Sequence, residues 1–133
     1  MRIDEFHGAI INTKDVCIHD TVLKFMQFTR MNKELNLVFS RLNEANYQYT
    51  IDFYNVIGFE MTACDFWGAS PCVLDFEYVD WAERTIIPKV KHEWSNYPQL
   101  LSDISYENYI EIRITFSSGD HLSIACEYLI LND

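Results

Sequence analysis

The sequence predicts a mainly β protein, built as an antiparallel sandwich or partly open barrel with one or two short helices. Three observations predict it. Apolar residues recur at every second position in several runs, the period of a half-buried strand. Polar and turn-forming residues separate those runs at short intervals, as in an antiparallel meander rather than in βαβ units. The 133 residues are 49% apolar, which gives one core enough material and fits a single domain over residues 1–133.

The elements follow in chain order. Val22 to Arg30 is rich in β-formers, and Met31-Asn32-Lys33 makes a connection. Leu35, Leu37 and Phe39 then alternate with Asn36, Val38 and Ser40. Asn43-Glu44-Ala45-Asn46 reads as a polar loop. Tyr47, Tyr49, Ile51 and Phe53 form the next alternating run, and Asn55 breaks it. Ile57, Phe59, Met61 and Ala63 continue on the far side. Gly68, Ser70 and Pro71 make 65–71 a loop, and a strand over Cys72 to Val79 follows. Asp80 is placed to cap a short helix through Ile87, ended by Pro88, and Asn96-Tyr97-Pro98 to start another through Asp103. The firmest signal is C-terminal. Ile110, Ile112, Ile114 and Phe116 alternate with polar residues, Ser118-Gly119-Asp120 turns, and Leu122, Ile124, Cys126, Tyr128 and Ile130 alternate again.

Charge narrows the function classes. The formal net charge is −10, which opposes binding to a phosphate backbone, so no nucleic-acid partner is expected. Between Leu42 and Glu83 there is no Lys, Arg or His, against eight acids and ten aromatics. Such a segment is either a core with a solvated acidic face or a surface that meets a basic partner. The opening residues Met1 to His7 hold no apolar stretch of the secretory kind, and no run is long enough to span a bilayer, so a cytoplasmic protein without membrane contact is expected. The cysteines, Cys17, Cys64, Cys72 and Cys126, are accordingly expected as reduced thiols.

Few residues carry a recognisable chemistry. Cys17-Ile18-His19-Asp20 could offer Cys and His on one strand face, but the other His and Cys lack the spacing of a zinc site. No metal or cofactor is expected, and His19 and Asp20 are read as structural polar contacts. Nothing in the sequence brings a His to a Cys nucleophile, and neither a glycine-rich phosphate loop nor a nucleophile elbow occurs. Asp75 and Glu77 share a strand face and could split their pKa values for acid–base work, although such pairs more often form a solvated face. Phe66-Trp67-Gly68 either plugs one end of the β core or stands out as an interface anchor.

Three short stretches resemble small uncharacterised bacterial β-rich domains, some grouped with immunity proteins of polymorphic toxin systems. They are Ile18-His19-Asp20-Thr21, Tyr49 to Phe53 followed by Asn55 to Phe59, and Ser118-Gly119-Asp120-His121-Leu122. The likeness implies a small, acidic, cytoplasmic toxin-binding protein and assigns no catalytic residue. The expectation is thus a partner-binding protein, not an enzyme. It would hold a basic protein, such as a toxin domain, through Asp65, Phe66, Trp67, Asp75, Glu77, Asp80 and Trp81. The alternatives are a small-molecule-binding barrel with Tyr47, Tyr49 or Phe53 lining its pocket, and an enzyme of unspecified reaction.

Overall fold

The computed structural model describes residues 2–4, 20–41, 44–62, 72–97 and 106–132, and among these nine strands form two antiparallel sheets. The strands are β1 (Arg2–Asp4), β2 (Thr21–Thr29), β3 (Glu34–Arg41), β4 (Glu44–Tyr54), β5 (Gly58–Met61), β6 (Val73–Tyr78), β7 (Ile110–Phe116), β8 (His121–Cys126) and β9 (Tyr128–Asn132). The first sheet has the order β1-β9-β4-β3-β2 and the second β5-β8-β7-β6. Neither closes into a barrel, so the architecture is sandwich-like, and the described residues add one α-helix, α1 (Ile86–Trp94), and short 3-10 turns at Trp81–Glu83 and Tyr106–Asn108.

The sheets share a corner. β4 pairs with β9 in the first sheet and β5 with β8 in the second, so the chain crosses between sheets twice, side by side. At Asn55 the backbone turns left-handed (φ 53°), and its side-chain amide donates to Glu127 Oε2 at 2.8 Å. The Glu127 amide donates to the Tyr54 carbonyl at 3.1 Å, and Ile57 to that of Ala125 at 3.0 Å. A second meeting point joins the sheet margins: Val22 bridges Cys72, and the Asp20 amide donates to Val73 at 2.9 Å.

The alternation seen in the sequence builds the core between the sheets. Leu35, Leu37, Phe39, Ile51 and Phe53 point inward from one side, and Ile110, Ile112, Ile114, Leu122 and Ile124 from the other. Tyr49 joins this packing, so two of the three residues considered for a ligand pocket fill the core instead. On the outer face of the second sheet, α1 sets Ile86, Ile87 and Val90 on Ala125. Gly58 permits that approach, because a Cβ there would lie 2.9 Å from Ile86 Cγ2.

Four expectations are corrected. The helix does not end at Pro88: it starts at Ile86, so Pro88 lies in the first turn, where its missing N–H has no intrahelical partner to lose. Asp80 precedes a 3-10 turn and makes no side-chain cap. The last run is not one strand. At Glu127 the chain changes sheets and the phase slips by one, so Leu129 and Leu131 are buried while Tyr128 and Ile130 are only half-buried. The polar loop over 43–46 is shorter than read, since β4 begins at Glu44 and pairs with Arg41 after a bulge. The predicted loop over 65–71, most of the second short helix, and Cys17, His19 and Cys64 lie outside the described residues. Among the described residues no helix is long and apolar enough to cross a membrane.

Candidate functional site

The outer face of the second sheet collects most of the polar side chains that its strands carry. Register sets them in rows. Glu77, Arg113, Ser123 and Glu60 are successive cross-strand neighbours from β6 to β5. Asp75, Thr115 and His121 form the next row, and Thr62 closes it by donating its amide to the His121 carbonyl at 3.0 Å. On the other side of the first row lie Glu111, Ala125 and Gly58, covered by α1. The uncovered part is a cleft of about 410 Å³, lined by Glu60, Thr62, Thr85, Arg113, His121 and Ser123.

Where helix and sheet meet, two charges are taken inside. Glu111 is fully buried. Its Oε1 accepts the amides of Ile86 (2.7 Å) and Ile87 (3.2 Å), and its Oε2 accepts that of Thr85 (2.9 Å). A strand carboxylate thus caps the helix that lies on it, satisfying three orphan donors at the positive end of the helix dipole. Arg84 is buried beside it. Its guanidinium donates to the carbonyls of Val79 (3.0 Å) and Tyr109 (2.9 Å) and to the Tyr78 hydroxyl (3.1 Å). It also lies 3.9 Å above the Trp81 ring. These contacts hold the 3-10 turn against β6 and β7. They are a structural clamp, with each guanidinium nitrogen of Arg84 and each carboxylate oxygen of Glu111 engaged.

The clamp positions part of the expected interface. Asp75 is exposed and Glu77 half-buried on the same outer face of β6, the margin of the second sheet. Asp80 is exposed just beyond, and Trp81 is 52% exposed with one ring face covered by Arg84. These four follow one another along one margin of the second sheet. Asp65, Phe66 and Trp67 lie outside the described residues. The fold also brings cations to a segment that has none in sequence: Arg113 stands directly across from Glu77, and Lys89 Nζ is 3.5 Å from Glu60 Oε2. Among the described residues no carboxylate comes within ion-pairing distance of Arg113, and Asp75 and Asp80 make no ion pair either.

Cys126 is not placed for thiol chemistry. Cys126 is fully buried, and burial pushes its thiol well above the ordinary range, which keeps it protonated and unreactive. The cleft and the Arg84–Glu111 clamp were missed at the sequence level. Both depend on which outward residues the helix covers, and strand periodicity does not encode that. No known family, characterised protein or solved structure matches the chain.

Proposed function

We propose that this is an acidic partner-binding protein that holds a basic protein through the β6 margin, and that it acts in the cytoplasm as an immunity protein, neutralising a toxin by covering it. The observation that carries the reading is the joint exposure of Asp75, Asp80 and Trp81 beside Glu77. An exposed aromatic with acids along the same margin suits a basic surface: the acids speed encounter and the indole supplies buried contact. The stacked guanidinium presets the indole, which lowers the ordering cost on binding. The resemblance to immunity-type domains points the same way. The test is capture of the adjacent gene's product by wild type, by Asp75→Lys/Asp80→Lys and by Trp81→Ala.

The open cleft favours a second reading, retention of a small polar ligand. Arg113, His121 and Ser123 supply its donors. Arg113→Ala would remove that activity and leave capture at the β6 margin intact.

A further inference from the structure

Four of the ten lysines and arginines fall on one hairpin. From Thr21 to Arg41, which spans β2 and β3, there are four cations, Lys24, Arg30, Lys33 and Arg41, and one acid, Glu34. That is a local charge of +3 in a chain of −10. Glu34 accepts a hydrogen bond from the Asn36 amide at 3.0 Å. Among the described residues Lys24, Arg30 and Lys33 are exposed and make no ion pair.

Among the described residues, the same hairpin carries most of the large apolar side chains left in solvent. Met31 is 95% exposed and Phe25 51%, and Met26 and Phe28 are also exposed. Register explains two of them. Met26 and Phe28 face Leu37 and Leu35, so they point to the core side, yet β2 is the margin of its sheet and they overhang the core. Phe28 meets Phe59 of the second sheet edge to face at 5.1 Å. Phe25 faces Val38 on the opposite side. Beyond the Val22–Cys72 bridge and the bulge at Lys24, no strand among the described residues pairs with the outer edge of β2.

We propose that β2 is a second, oppositely charged docking surface, and that it takes an extended acidic peptide segment of a partner as an added strand. Main-chain hydrogen bonds along Phe25 to Thr29 would give register, and alternate side chains of the guest would cover Phe25 on one face and Met26 and Phe28 on the other. Charge complementarity selects the guest: its acids would meet Lys24, Arg30 and Lys33, while a basic peptide would be repelled. A lone apolar edge is an aggregation hazard, and lysines commonly guard such edges. Here the apolar side chains sit on both faces of the guarded edge, which a purely protective design has no reason to keep. Among the described residues, the surface meets the β6 margin only at its Val22 end, where Val22 bridges Cys72.

The test is selection of random twelve-residue peptides on the full-length protein, followed by fluorescence anisotropy with the winning peptides. The expected winners are acidic, rich in β-branched residues and free of central proline. Their binding should fall about tenfold or more with Lys24→Glu/Lys33→Glu, and similarly with Phe25→Ser, while melting temperatures hold. A central proline in the peptide should abolish binding, because it removes a ladder donor. Winners without an acidic bias, or winners indifferent to proline and to Phe25→Ser, would overturn the proposal. So would concentration-dependent dimerisation of the wild type through β2, or retention on phosphatidylserine vesicles that Lys24→Glu/Lys33→Glu abolishes without any peptide capture. Self-association of the charge-reversed variant with no capture by the wild type would show that the lysines only guard the edge.

Discussion

Two buried charges do unusual work at the residue scale. Glu111 sits in an alternating strand at an outward position, where solvent is the ordinary neighbour, yet it is fully buried because α1 begins above it. Its hydrogen bonds are charge-assisted, and its loss would leave three helix amides unsatisfied. Glu111→Ala is expected to destabilise the fold by about 3 kcal/mol in denaturant melts, the scale of a broken buried charged contact. A change below about 0.5 kcal/mol, the level of ordinary surface substitutions, would mean the cap contributes nothing.

Cys126 supports a chemical prediction. Its thiol titrates above the ordinary value of 9.0 because the core disfavours the thiolate. The folded state therefore holds its proton more tightly than the unfolded chain. Its stabilising contribution is complete below about pH 9, and it declines as pH rises beyond that. Iodoacetamide at pH 8, followed by peptide mass spectrometry, is expected to leave Cys126 unmodified in the native protein and to modify it in urea. Native labelling at the unfolded rate would contradict its burial.

The C-terminal hairpin dominates at the element scale. Ile112 and Ile124 face each other across β7 and β8, and both are fully buried. Ile112→Ala or Ile124→Ala should each cost about 2–5 kcal/mol, as large-to-small changes in a packed core do. Denaturant midpoints near the wild-type value would contradict this. Gly58 controls a different contact. Gly58→Val would push against Ile86 and lift α1, at a cost of about 1–3 kcal/mol by denaturant melt.

These elements also show what a sequence can reveal. The hairpin's inward faces were legible because strand periodicity directly reports burial. The crossing at Glu127 was not, since one residue out of register reverses every later side chain and leaves the apolar pattern nearly unchanged. Pro88 misled because a proline that stops a helix in its interior is harmless in its first turn. Among the site residues, the shared face of Asp75 and Glu77 was readable from their spacing. Their neighbourhood to Arg113, and the hold of Arg84 on Trp81, arise from strand order and long-range packing, which composition does not encode.

Charge is unevenly distributed over the whole molecule. The β2–β3 hairpin is basic and apolar at its margin, and the β6 margin is acidic with one aromatic anchor. The fold also decides which substitutions test the acidic margin fairly. Glu77 stands opposite Arg113, so Glu77→Lys would set like charges across the strands and cost stability. Asp75 and Asp80 are exposed, and their reversal leaves the packing alone. Trp81→Ala keeps the three hydrogen bonds of Arg84 and should speed dissociation of the partner without unfolding the protein.

The most direct test of the acidic margin is the association rate constant for the adjacent gene's product, measured by stopped-flow across a salt series for wild type and Asp75→Lys/Asp80→Lys. The expected result is a wild-type rate that falls steeply as salt rises, and a variant rate at least about tenfold lower at low salt that converges with the wild type at high salt. Equal rates for both proteins at low salt, with both still folded and bound, would contradict the assignment of the β6 margin as the binding surface.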